Sequence, residues 1–139
     1  MLRLVGCKRG KKEDKRVTVR LLLVDDSPAI RRGLRSIIEE QTDWKVCGEA
    51  GNGKVALNLV QELHPDVILL DLSMPVMNGL DAARQIKMVA PQTYILLFTL
   101  HDCPQLVEDA RKVGINRVLS KSGESGGAVV STIRSLLAA

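Results

Sequence analysis

The stretch Arg20-Leu-Leu-Leu-Val-Asp-Asp-Ser-Pro-Ala-Ile-Arg-Arg32, "RLLLVDDSPAIRR", holds the key to the fold. An apolar run with no polar interruption reads as a strand buried on both faces. It meets two adjacent aspartates, Asp25 and Asp26, and then a helix-start signal: Ser27 as N-cap and Pro28 at the first helical position. Ile30, Leu34, Ile37 and Ile38 follow at helical spacing. A buried strand passing straight into a helix is half of a parallel crossover unit. Neighbouring carboxylates at that junction repel each other, and such a pair calls for a counter-ion or a raised pKa.

Outward from that stretch the same alternation recurs. Strands are expected at Val17–Val24, Lys45–Ala50, Val67–Leu70, Tyr94–Thr99 and Arg117–Leu119. Helical faces lie between them and after the last. After the second strand Gly51-Asn52-Gly53 reads as a turn, and Val55, Ala56, Leu59, Val60 and Leu63 then form one such face, stopped by His64-Pro65. Leu80, Ala83, Ile86 and Val89 form another, after the turn signal Asn78-Gly79. Leu106, Val107, Ala110 and Val113 precede Gly114, and Val129, Val130, Ile133, Leu136 and Leu137 close the series. The pattern predicts an α/β fold: a five-stranded parallel sheet with helices on both faces, a flavodoxin-like doubly wound (βα)5 arrangement.

Composition narrows the function. With 139 residues, 45% of them apolar, the chain suits one globular domain. Trp44, Tyr94 and Phe98 are its only aromatics, which argues against a base-stacking surface. No apolar run reaches membrane-spanning length and no signal-peptide pattern opens the chain, so a cytoplasmic location without membrane contact is expected. Cys7, Cys47 and Cys103 suggest reduced thiols. Residues 1–16 carry seven basic against two acidic residues, while 17–139 carry 13 against 14. The basicity is therefore a tail, expected to be solvated and mobile, and the domain is expected to run over 17–139.

In parallel sheets ligands sit at the carboxyl ends of the strands. That rule gathers five residues: Asp25 and Asp26 after the first strand, Asp71 after the third, Thr99 ending the fourth, and Lys121 just past the fifth. Alone, each has an ordinary reading as a turn acid, a strand residue or a solvated lysine. Together they place three carboxylates, a hydroxyl and an ammonium at one edge. Hard oxygens with room for water suit Mg²⁺, and the hydroxyl and ammonium suit phosphoryl oxygens. A carboxylate there could itself be the nucleophile and form an aspartyl phosphate.

From Val19 to about Leu137 the sequence resembles receiver domains of two-component response regulators, most closely those joined to LuxR-type helix-turn-helix domains. The motifs are "LLVDDSP", "DVILLDLSMPVMNGL", "LLFT" and "LSKS", in order. The resemblance implies Asp71 as phosphoacceptor, with Mg²⁺ bound by Asp26, by Asp71 and by the backbone carbonyl of Ser73, Asp25 assisting. It implies Thr99 as the switch hydroxyl and Lys121 as the phosphate-binding lysine. It implies a signalling domain that assists its own phosphorylation and dephosphorylation, not an enzyme acting on other substrates. The implied donor is a histidine kinase or a histidine phosphotransfer protein, and pairing of two copies on phosphorylation is a further expectation. DNA would be reached only through an output domain, whose helices do not follow Ala139 here. A stand-alone receiver and a fragment of a DNA-binding regulator both remain open.

Two positions depart from the family pattern. Three residues before Lys121, where an aromatic ring is usual, stands Val118, which excludes a ring-flip readout. After Thr99, where a small residue is usual, stands Leu100, which is expected to hinder attacking water. An aspartyl-phosphate phosphatase is the alternative activity, but it wants an acid two residues after the nucleophile, and that position is Ser73. A flavin module of similar topology wants a phosphate loop after the first strand, where Asp25-Asp26 would repel phosphate. The lone Trp44 should lie at the sheet end away from the acids, about 20 Å from Ala50 along an extended strand.

Overall fold

The computed structural model describes residues 18–100, 103–121 and 126–138. The basic segment 1–16 lies outside the described residues, as do Val17 and Cys7. The elements are β1 (Arg20–Val24), α1 (Pro28–Gln41), β2 (Lys45–Ala50), α2 (Gly53–Leu63), β3 (Val67–Leu70), α3 (Gly79–Val89), β4 (Tyr94–Thr99), α4 (Pro104–Lys112), β5 (Arg117–Ser120) and α5 (Gly126–Ala138). All strand pairs are parallel, in the order β2-β1-β3-β4-β5. This is the expected doubly wound sheet. Two bounds differ from expectation: β1 starts at Arg20, where Lys45 of β2 first pairs with it, and β5 reaches Ser120 opposite Thr99.

The uninterrupted apolar runs are explained by two cores. Leu22, Val24, Ile68, Leu70, Ile95 and Leu97 point to the side covered by α2, α3 and α4, where Val60, Ile86 and Ala110 meet them. Their strand neighbours Leu21, Leu23, Val67, Leu69 and Leu96 point to the other side, against Leu34 and Ile38 of α1 and Val129 and Ile133 of α5. Alternate residues thus feed opposite cores, so neither face of the central strands can be polar. Truncating one of these fully buried leucines to alanine costs on the order of 2–5 kcal/mol. Not every apolar residue at helical spacing is buried, however. Val55, Val89 and Val107 lie at the edge of their stripes and are 41%, 47% and 48% exposed.

Helix starts follow local chemistry. Ser27 Oγ accepts from the Ile30 amide at 3.3 Å, with Pro28 at the first position of α1. The signals Asn52-Gly53 and Asn78-Gly79, which read as turns in the sequence, are helix starts. Asn52 Oδ1 accepts from the Val55 amide and Asn78 Oδ1 from the Asp81 amide, at 2.9 and 3.0 Å. Helix α2 ends at His64 in the left-handed region, φ 50°, and Gly114, φ 95°, follows α4. No helix among the described residues is long and apolar enough to cross a membrane.

Candidate functional site: an acidic cleft at the strand ends

From β1 the chain crosses to β2 on one side and returns to β3 on the other, so the switch point lies between the carboxyl ends of β1 and β3. Val24 pairs with Leu70, which sets the next residues, Asp25 and Asp71, beside each other. Hydrogen bonding continues one step past the strands. The Asp25 amide donates to Ala50 O at 3.0 Å, the Asp71 amide to Val24 O at 2.9 Å and the Lys121 amide to Thr99 O at 2.7 Å. Each backbone is therefore fixed by the strand beside it, and the side chains need little further ordering.

All the residues expected from sequence converge. Asp25, Asp26, Asp71, Ser73, Thr99 and Lys121 line one open cleft of about 510 Å³, with Ile30 and Leu100 as its apolar part. Asp25, Asp71 and Thr99 are only 4%, 6% and 1% exposed, whereas Asp26 is exposed. Carboxylate oxygens of Asp25, Asp26 and Asp71 lie within 4.8 Å of one another. Three such oxygens, close and hard, fit a small divalent cation such as Mg²⁺.

The counter-ion demanded by the aspartate pair is supplied in part from within the chain. Lys121 Nζ donates to Asp25 Oδ2 at 2.8 Å and to Asp71 Oδ1 at 3.1 Å. Asp25 Oδ1 also accepts from the Ser27 amide at 2.9 Å, at the positive end of α1. Burial pushes the Asp71 carboxyl above the usual carboxylate range; the bond from Lys121 opposes this, and the charges of Asp25 and Asp26 add to it. Burial disfavours the Lys121 ammonium, but its bonds to Asp25 and Asp71 overcome that and hold its pKa above the ordinary lysine value. Phe98 supports the same lysine, with Nζ 5.8 Å from the ring centroid.

Several contributors escape sequence reasoning. Gly79 is one: a Cβ there would stand 2.4 Å from the Asp71 carbonyl oxygen, and its amide donates to Leu72 O at 2.8 Å. Only glycine lets α3 begin so close to the acidic residue. Val76, in the same loop, has φ 73° and is 78% exposed. A β-branched residue in that region is strained. Arg31 and Glu49 are the others: the Arg31 guanidinium donates to Asp25 O and to Glu49 Oε1. The sequence does carry a signal for Gly79, as Asn-Gly before an apolar helical face, but that signal by itself says only that the chain turns.

Val118 is half-buried against the core beneath α4, so that position holds no ring to turn. Trp44 precedes β2 and packs on the α1–α5 side, with the Arg134 guanidinium 5.7 Å from its ring centroid. It lies before the first residue of a strand whose far end, Ala50, meets the Asp25 amide.

Comparison with known proteins agrees with this geometry. The profile of the response regulator receiver domain matches residues 21–130. Transcriptional regulatory protein YdfI of Bacillus subtilis (strain 168) is 41% identical over 106 residues, which cover 76% of this chain and 49% of that protein. A LuxR-family two-component response regulator from Aurantimonas sp. SI85-9A1 superimposes with a TM-score of 0.83 at 33% identity, covering 88% of this chain and 86% of that one. The signal receiver domain of the response regulator NarL from Mycobacterium tuberculosis does so with a TM-score of 0.80 at 32% identity, covering 86% and 95%. The chain spans about half the length of the curated transcriptional regulators it matches. From strand order to acidic cleft to these matches, the chain belongs to the response regulator receiver domain family, and it is similar to receivers of LuxR-family regulators.

Proposed function

We propose that Asp71 accepts a phosphoryl group from a phosphohistidine of a histidine kinase or phosphotransfer protein. Mg²⁺ would be held by Asp25, Asp26, Asp71 and the backbone carbonyl of Ser73. The observation that carries this reading is the placement of the buried Asp71 carboxylate between Lys121 and two further carboxylates in one open cleft. In the transfer an Asp71 oxygen bonds to phosphorus as the P–N bond breaks and the imidazole leaves with the electron pair. The cation, when bound, neutralises charge on the phosphoryl oxygens.

The chain's own residues do the rest. Lys121 already donates to Asp71 Oδ1, so the attack on phosphorus is assigned to Oδ2. Its ammonium lies within reach of a new phosphoryl group on the same carboxylate, and Thr99, at the end of β4, borders the same cleft. The backbone bonds to Val24, Ala50 and Thr99 hold these groups in place before the donor arrives. Ser73, two residues after Asp71, has no carboxyl with which to protonate a leaving group, which favours acceptor over phosphatase.

The output we infer is control of transcription, through a segment outside this chain. The support is the likeness to transcriptional regulatory proteins and to LuxR-family receivers. A matching stretch also occurs in protein-glutamate methylesterase/protein-glutamine glutaminase 2 of Photobacterium profundum, 48% identical over 83 residues, so outputs differ among relatives. The phosphoryl step is tested by incubating the protein with acetyl phosphate, with and without Mg²⁺, and reading the intact mass. Wild type should gain one phosphoryl group only with Mg²⁺, and Asp71→Asn none. Equal labelling of the two proteins would overturn the assignment.

A further inference from the structure

We propose that Arg31 is a positioning residue for the metal-binding aspartates. It acts through the backbone carbonyl of Asp25 and is itself held by Glu49. This rests on the reading of the cleft as a Mg²⁺ site.

Strand β2 ends at Ala50, and the chain turns at Gly51 towards the Asn52 cap of α2. The ladder therefore serves the Asp25 amide, through Ala50 O, but cannot supply a donor for the next carbonyl. A buried carbonyl without a donor is costly. Arg31 fills the gap: its NH1 donates to Asp25 O. Its Nε donates to Glu49 Oε1 at 2.9 Å, so the guanidinium spans from β2 to the Asp25–Asp26 peptide with its planar fork fixed. That peptide leads directly to Asp26, the exposed acid of the cluster. With its carbonyl held on one side and the Asp25 side chain held by Ser27 and Lys121, the direction of Asp26 is set by Arg31.

A mere tie between α1 and β2 does not need Arg31. Arg35 donates to Glu49 Oε2 through Nε and NH2, at 2.9 and 2.8 Å, one turn further along the same helix. The two arginines share Glu49, and only Arg31 reaches the acidic loop. The pair is therefore its own control.

Outer groups that orient a metal's ligands typically change metal affinity by 10–100-fold when lost. Substituting lysine keeps the charge and removes the fork, so electrostatic attraction for the cation is unaltered. Calorimetric titration of Mg²⁺ into the metal-free protein should show about tenfold weaker binding for Arg31→Lys. Arg35→Lys should bind as wild type does. The carbonyl ¹³C resonance of Asp25, read without metal, should move in Arg31→Lys and stay in Arg35→Lys. Equal Mg²⁺ affinities in all three proteins, or equal losses in both variants, would overturn the proposal. A wild type that takes up no Mg²⁺ would instead overturn the reading of the cleft on which it rests.

Discussion

At the scale of single residues, Asp71 faces two opposed demands. To accept a phosphoryl group as proposed it must be ionised, yet burial pushes its pKa up, and the neighbouring acids push it further. The folded carboxyl holds its proton to a higher pH than the unfolded one, whose value lies near the usual 3.8. Across the range just above that value the folded state binds more protons, so this residue's contribution to stability falls as pH rises. The metal-free Asp71→Asn variant should therefore be more stable than wild type at neutral pH, and the gap should shrink on acidification through the carboxylate range. Urea unfolding at a series of pH values reads this directly, and a gap that grows towards acid would contradict it. Val76 carries strain of its own, with φ 73°. Holding an ordinary residue in the left-handed region costs roughly 1–2 kcal/mol, and glycine returns about 0.5–1 kcal/mol of that as lost chain entropy. Val76→Gly should raise stability by about 0.5–1 kcal/mol, seen as a higher urea midpoint at unchanged slope. Sequence could not disclose this strain. Val76 sits in "MPVMNG" as an unremarked spacer, and nothing in its residue type signals a positive φ.

At the scale of elements, what was legible depended on distance along the chain. The strands showed because their apolar runs are local, and α1 showed because Ser27-Pro28 is a local start signal. Asn52 and Asn78 were visible but ambiguous: the same residue types open helices and make turns, and only the following amide decides. The Arg31–Glu49 pair is invisible in the sequence, because 18 residues separate its members and only the packing of α1 against β2 brings them together. Helix α4 differs from α1, α2 and α3 in one respect that bears on signalling. Its N-cap, Cys103, makes no side-chain capping bond, whereas Ser27, Asn52 and Asn78 each do. Such a cap contributes about 1 kcal/mol, so the start of α4 is the least secured of the four. It also follows Thr99 and Leu100, which border the cleft. With Val118 in place of a ring, a change at the site is expected to pass through this connection and not through β5. Amide hydrogen exchange with and without a phosphoryl mimic should alter most across 99–113. Changes confined to 44–60 would show that the output face is misplaced.

At the scale of the whole molecule, the sheet order and the acidic cleft are one fact seen twice. Placing β1 between β2 and β3 puts Asp25 beside Asp71, and pairing β4 with β5 brings Lys121 to Thr99, next to both. The strand-end rule could therefore gather the site from sequence before any coordinates. It could not show that Lys121 spans Asp25 and Asp71, since that depends on side-chain reach across three strands. On the proposed reading, this assembly delivers a phosphoryl group to Asp71 and nowhere else. This is tested most directly by treating the protein with acetyl phosphate and Mg²⁺, reducing it with borohydride, and sequencing its peptides by mass spectrometry. Borohydride converts an aspartyl phosphate to homoserine, marking the acceptor permanently. Homoserine at position 71, and only with Mg²⁺ present, is the predicted result; homoserine at 25 or 26, or at none of the three, would contradict it.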